Sequence, residues 1–491
     1  MADSADLAPP RQKRSFFATL ELDTRLLGMI GAFILICAIF QLWTGARSVQ
    51  DTVNPLTWLI EGRFLTPRNI FNLTIQTVSV AIMATGMVFV IVTRNIDLSV
   101  GALLATCSAT MAMVQTAVLP QWFGLELGHP AIWFLAVMAG MAVGASIGAF
   151  QGYIVGFLTV PAFIVTLGGL LVWRNVAWHL TTGQTIGPLD PTFITFGGIE
   201  GTLGETWSWV FGAVATAFAL LIIWNARRNK VAHDMPTKPI WAEAALAALA
   251  ALVILGFVWV LNSYDVPDLR LEREFEARGE VMPEGYTAAF GVPYSVLLLI
   301  VIAVAMTIIA QRTRLGRYIF ATGGNPDAAA LSGINTRLLT VKVFAIMGVL
   351  CAISAVVASA RQNFHSNDIG TLDELRVIAA AVIGGTALAG GVGTIYGAIL
   401  GALIMQSLQS GMAMVGVDAP YQNIVVGVVL VEAVLLDIAY RDPVVRPKVW
   451  EFHLVVVPIV VFALASPTIG IVLLLGAVVE FVRRYRKGLL K

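Results

Sequence analysis

The stretch YSVLLLIVIAVAMTIIAQRTRLGRYIFATGGNPDAAALSGINTR, Tyr294 to Arg337, decides how the whole chain is read. Its first part, 294–311, is apolar for about one membrane crossing, which takes about 20 such residues. QRTRLGR, Gln311 to Arg317, follows and is rich in arginine. Then GGNPDAAALSGIN, Gly323 to Asn335, carries every part of a helix yet is far too short to cross a bilayer. Asn325 is a good N-cap, and Pro326 suits the first helical position, where its missing N–H costs nothing. Asp327 complements the positive end of the helix dipole. Ala328, Ala329 and Ala330 have the best helix propensity, and Gly333 is placed to end the helix as a left-handed residue. Two isolated turns are marginal in water. A helix so well specified at both ends reads as a rigid knob presented beside a membrane, flanked by Arg312, Arg314, Arg317 and Arg337.

Working outward, the 491 residues are 58% hydrophobic and 12% charged, with mean hydropathy +0.82. Soluble domains carry roughly 25% charge, so lipid is the solvent for this chain. The expected fold is all-α: a polytopic membrane protein with about 12 transmembrane helices. The crossings are read near 26–43, 70–93, 98–118, 131–156, 161–180, 207–225, 241–262, 294–311, 338–360, 375–391, 393–413 and 421–439. RQKR (Arg11 to Arg14), ARRNK (Ala226 to Lys230), QRTRLGR and RDPVVRPK (Arg441 to Lys448) then all fall on one side, which the positive-inside rule makes cytoplasmic. The polar start, 1–25, reads as a cytoplasmic tail rather than a cleaved signal. The transmembrane body is 26–440, with a cytoplasmic loop at 312–337 and a mixed-charge, acidic-leaning outer loop at 262–292. That outer loop reads as a solvated surface or as a docking surface. The remainder, 441–491, is a membrane-associated extension, either an apolar hairpin turning at Ser466-Pro467 or one extra helix.

Glycines punctuate two of the crossings. Gly140, Gly144, Gly148, Gly152 and Gly156 form a stripe with a four-residue period, and Gly393, Gly397 and Gly401 form a second. In lipid, helices associate through close backbone approach, which small residues permit. Glycine as dense as IGGTALAGGVG, Ile383 to Gly393, also suits the broken helices that line transport pathways.

Few polar groups lie at membrane depth. Asn95 and Asp97 in TRNIDLSVG, Arg174, and Glu432 are the candidates for a translocation path, since an ionisable group there is a functional candidate by default. Asp97 is equally placed to cap the next helix. The five histidines are scattered and the three cysteines lie inside apolar runs. No catalytic or metal-binding constellation is expected. Nor is a nucleotide P-loop, because the dipeptide Gly-Lys is absent. Composition gives no sign of nucleic-acid binding, since the basic residues cluster in loops.

RYIFATGGNPDAAALSGINTRLLTVKVFAIMG (Arg317 to Gly348) resembles the cytoplasmic loop of ABC-importer permeases for monosaccharides. GMVFVIVTRNIDLSVGALLA (Gly86 to Ala105), VPAFIVTLGGLLVWR (Val160 to Arg174) and AAAVIGGTALAGGVGTIYGAILGALIMQSLQSGMAM (Ala379 to Met414) resemble the same family. The extra helix pair around 207–262 is similar to the xylose type rather than the shorter ribose type. The resemblance implies a non-catalytic permease subunit in a bacterial inner membrane, N-terminus cytoplasmic, present as a homodimer surrounded by lipid. It implies a separate ATPase subunit that binds ATP and Mg, and a periplasmic sugar-binding protein. It also implies that Asn325, Pro326, Asp327, Ala328, Leu331, Ser332 and Gly333 form the coupling helix that the ATPase grips. The competing reading is an ion-coupled secondary transporter of a small polar solute, which needs ionisable coupling sites on facing helices.

Overall fold

The computed structural model describes residues 24–49 and 54–441. The helices run in the order α1 (Thr24–Ser48), α2 (Pro55–Glu61), α3 (Pro67–Val92), α4 (Val100–Met113), α5 (Leu119–Phe123), α6 (Pro130–Phe157), α7 (Ala162–Thr181), α8 (Pro191–Ile194), α9 (Gly204–Ala232), α10 (Ile240–Asn262), α11 (Asp268–Ala277), α12 (Tyr294–Arg312), α13 (Arg314–Gly324), α14 (Pro326–Leu331), α15 (Thr336–Gln362), α16 (Asp373–Ile383), α17 (Ile395–Met414) and α18 (Ala419–Arg441). Among the described residues only isolated bridges, and no strands, accompany them. A π-helical stretch, Val114–Val118, joins α4 to α5. Proline opens α2, α3, α6, α8 and α14, where its fixed φ suits the first turn.

Eleven of these segments are long and apolar enough to cross a membrane. The segment read as a twelfth crossing at 375–391 is instead broken. Its helix α16 stops at Ile383, and Gly385, Gly390 and Gly391 carry the chain on with left-handed φ angles of 85°, 87° and 78°. Hydropathy missed the break because the segment is apolar throughout. The extension 442–491 and the tail 1–23 lie outside the described residues.

The described residues divide into two compact units: 29–49 and 54–202 with 292–441, and 24–28 with 203–291. In the larger unit α3 and α15 are central. In their most apolar windows 89% and 78% of residues are buried, against 11% for α1 and α18. Helix α15 packs on α6, α3 and α4. The first glycine stripe makes the α6 contact possible. A Cβ at Gly148 would fall 2.2 Å from the Phe344 carbonyl oxygen, and one at Gly144 would fall 2.3 Å from that of Gly348. Gly152 and Gly156 likewise face the α15 backbone, whereas Gly140 faces the Met111 side chain. In the second stripe Gly397 and Gly401 lie against the carbonyls of Gly384 and Ala380, so α17 rests on α16, while Gly393 meets side chains of Thr386, Val88 and Val92.

The smaller unit is a helical hairpin, α9–α10, tied by an Arg227–Glu243 ion pair of 2.5 Å. The loop beyond α10 folds back on itself. Phe290 N donates to Tyr264 O at 3.1 Å and the two rings stack at 4.9 Å. The charged run DLRLEREFEA within it is helix α11, with Leu271 buried beneath and Arg270–Glu274 paired at 3.1 Å.

Candidate functional site

Two places in the larger unit hold polar groups that a pure membrane packing role does not need. The first is an elbow between α12 and α15. Thr313 Oγ1 accepts from Gly316 N at 3.2 Å and starts α13, an amphipathic helix that buries Ile319, Thr322 and Gly323. Asn325 then extends the backbone, and its Oδ1 accepts from Ala328 N at 3.0 Å to start α14. At the far end Gly333 N donates to Ala330 O and Ile334 N to Ala329 O, at 3.0 and 3.1 Å, with Gly333 at φ +84°. That pair of bonds is a Schellman stop. Ala329 is buried underneath and anchors the helix, while Leu331 is 90% exposed. Asn325, Asp327, Ala328, Ser332 and Gly333 are exposed as well, and Pro326 is half-buried. The result is a two-turn knob, capped at both ends, with a bare leucine on it.

Arg94, just past the end of α3, holds this elbow from below. Its Nε donates to Gly323 O and its Nη2 to Gly324 O, each at 2.8 Å. These are terminal carbonyls of α13, where a cation is favoured. Arg94 takes a left-handed φ of +63°, which is uncommon for a residue with a Cβ. On its other side Gly391 N donates to Val92 O at 3.0 Å. The base of the knob, the end of α3 and the loop of the broken crossing therefore meet at one point. Sequence reasoning passed over Arg94, because an arginine that follows an apolar run reads as an ordinary orientation signal.

The second place is a polar cavity of about 460 Å³ between α3, α15, α16 and α17. Gln406 Nε2 donates to Gln76 Oε1 across it at 2.8 Å, and Arg376 pairs with Asp373 at 3.0 Å in the first turn of α16. Gln76 and Val92 are separated by about 24 Å along α3, from the helical rise of 1.5 Å per residue. The cavity and the elbow thus lie towards opposite ends of the same helices, and α16 with its loop touches both.

Asn95, Asp97, Arg174 and Glu432 do not line the cavity. Asn95 Nδ2 bonds Thr93 O at 3.1 Å, in the turn after α3. Asp97 is buried and its Oδ1 accepts from Ser99 N and Ser99 Oγ at 2.9 and 2.6 Å. Ser99 Oγ also reaches Gln151 Oε1 at 3.0 Å. Asp97 thus ties the turn before α4 to α6. Arg174 on α7 donates to Asn367 O and Ile369 O at 3.0 and 2.6 Å and fastens the loop between α15 and α16. Glu432 lies on α18. In the Arg174-bound loop, His365 is fully buried. Its backbone pairs with Ile186 and its Nδ1 meets Ser108 Oγ at 2.9 Å. Burial first, and the Arg174 charge second, push its imidazole down to about 4.

Comparison with known proteins gives a consistent set of relatives. Residues 69–434 match the family described as branched-chain amino acid transport system / permease component. The chain is 36% identical over 385 residues to the xylose transport system permease protein of Escherichia coli (strain K12), covering 78% of this chain and 88% of that one. It is 35% identical to the xylose transport system permease protein of Haemophilus influenzae, over 77% of this chain and 90% of that one. It is 33% identical to the ribose import permease protein of Escherichia coli (strain K12), over 76% and 87%. No solved structure matches the chain.

Proposed function

This chain belongs to the permease family described as branched-chain amino acid transport system / permease component, and from that membership we propose that it is the membrane subunit of an ATP-binding-cassette importer for a monosaccharide. The relatives named for xylose and ribose support a pentose or similar sugar as the cargo. The chain does no chemistry of its own. ATP and Mg bind a separate ATPase subunit, and a sugar-binding protein delivers the cargo from the other side. Two copies of the permease form the pathway in a bacterial inner membrane, with the N-terminus and the elbow cytoplasmic. The body 26–440 is the permease domain, 312–337 its coupling loop, 262–292 an outer loop and 441–491 a membrane-associated extension.

The observation that carries this reading is the knob α14. A leucine 90% exposed at the tip of a doubly capped helix is suited to a groove on a partner. The ATPase closes when it binds ATP, and its differential contact with the two states of the permease shifts their balance. Uptake of radiolabelled D-xylose by cells that make the transporter tests the reading. Uptake is expected to stop on ATP depletion and to survive a protonophore. Uptake that survives ATP depletion and stops with the protonophore would instead identify an ion-coupled carrier.

A further inference from the structure

The cavity between α3, α15, α16 and α17 has a composition that selects for one kind of solute. Its volume, about 460 Å³, lies in the range of small-molecule sites, roughly 300–1,000 Å³. Its charges balance, with Arg361 and Arg376 against Asp368 and Asp373, so it offers no net attraction to an ion. Its glutamines are arranged to serve hydroxyl groups, which both donate and accept. The Gln76–Gln406 bond uses one donor and one acceptor and leaves the Gln76 amide N–H₂ and the Gln406 Oε1 turned to other partners. The side chain of Gln409, one turn along α17, has no hydrogen-bond partner among the described residues. None of the lining residues is aromatic, so no flat face is available to hold a sugar ring tightly. Such a site suits passage rather than capture.

We propose that this cavity is a transit site for a neutral polyhydroxylated solute the size of one sugar ring, with Gln76, Gln406 and Gln409 reading its hydroxyl groups and α16 as its movable wall. The proposal rests on the importer reading for its cargo and adds the residues that meet it. Helix α16 is suited to the role because it carries Asp373 and Arg376 at its cavity end, while the loop beyond it meets the Arg94 junction. A shift of the knob then changes the cavity without any contact between ATPase and sugar.

Thiol labelling tests the site apart from transport. Gln409→Cys in the full chain, in native membranes, is exposed to a membrane-impermeant maleimide added from outside the cell. The background is Cys37→Ser, because Cys37 is half-buried whereas the remaining Cys107 and Cys351 are buried. The variant is expected to be labelled, and D-xylose or D-ribose is expected to slow labelling several-fold while L-leucine does not. No labelling, labelling unchanged by either sugar, or equal slowing by leucine would each overturn the proposal. Gln406→Cys repeats the measurement should the first variant fail to insert. In transport, Gln409→Leu is expected to cut the maximal uptake rate by about tenfold, the effect of leaving one polar partner unsatisfied. ATPase stimulation by the loaded binding protein is expected to persist, and wild-type uptake by this variant would overturn the proposal. Sugar protection without any ATP-dependent uptake by the wild type would leave the site standing and remove the importer reading.

Discussion

Arg94 is bound to partners 229 and 230 positions away, and that separation explains why its role cannot be seen in the chain alone. Charge-assisted hydrogen bonds contribute about 1.5–3 kcal/mol each when shielded, and less here because the guanidinium is partly exposed. Arg94→Ala is expected to leave membrane insertion intact and to lower sugar uptake by up to about tenfold, the effect of losing one such bond's worth of coupling. Arg94→Lys, which keeps the charge and loses the two-pronged geometry, is expected to fall between. Equal uptake by all three proteins would remove Arg94 from the coupling path. His365 makes a second prediction at this scale. Its imidazole titrates near 4 instead of 6.5, so below 6.5 the unfolded chain takes up a proton that the folded chain refuses. Its contribution to stability is therefore kept above 6.5, is lost as pH falls towards 4, and changes no further below that. Thermal unfolding of the purified protein across this window is expected to be more pH-dependent for the wild type than for His365→Gln. Identical profiles would contradict that account. Apart from Asn95, which came with its neighbour Asp97, the polar residues found from sequence were chosen for their charge, which is why Asp97, Arg174 and Glu432 were singled out and Gln76, Gln406 and Gln409 were not. A neutral amide in an apolar run gives little signal. The i,i+3 spacing of Gln406 and Gln409, which places them on one helix face, was the hint available.

Among the elements, the knob was the most legible, because its caps are local. Asn325, Pro326 and Gly333 each act within a few residues of their own position, and the structure places them in the roles their chemistry suggests. Substituting Gly333 imposes a left-handed backbone on a residue with a Cβ, at a cost of about 1–2 kcal/mol. Open space surrounds the position, so Gly333→Ala is expected to destabilise the knob locally and leave the bundle folded. The glycine stripe behaves in the opposite way. Gly148→Val places atoms where α15 backbone already lies, and it is expected to abolish accumulation of folded protein in the membrane. Gly168→Ala, with nothing within 4 Å of the new methyl, is expected to be silent. Fluorescence-detected size exclusion of tagged variants separates the two, and a normal Gly148→Val peak would show that α6 and α15 do not pack as described. For helix α16 the place of the break was hidden from hydropathy. AAAVIGGTALAGGVG has Thr386 as its one polar side chain, and hydropathy cannot distinguish a helix from a helix followed by a glycine turn. The density of its glycines suited a broken helix, and the structure shows the break; where the loop docks, against Val92, is known only from the fold.

At the scale of the whole molecule, the order of the crossings and eleven of the twelve read from sequence follow from hydrophobic length, which is a strong signal in lipid. What hydropathy leaves out is how the crossings communicate. The larger unit provides a route: knob, Arg94, the loop after α16, α16 itself, and the cavity wall. Its first two links, Arg94 to Gly323 and Gly324 and Val92 to Gly391, are contacts between segments distant in sequence. The central claim is that force enters through α14 from a separate ATPase. The most direct measurement is purification of the tagged chain after in-membrane crosslinking, for the wild type and for Leu331→Asp, with ATP hydrolysis assayed in each sample. Leu331 is bare in this chain, so its replacement by aspartate is not expected to disturb folding. The account predicts that an ATPase accompanies the wild type and is lost from Leu331→Asp, while both proteins elute as folded species. An ATPase retained equally by both, or absent from both after crosslinking, would contradict it.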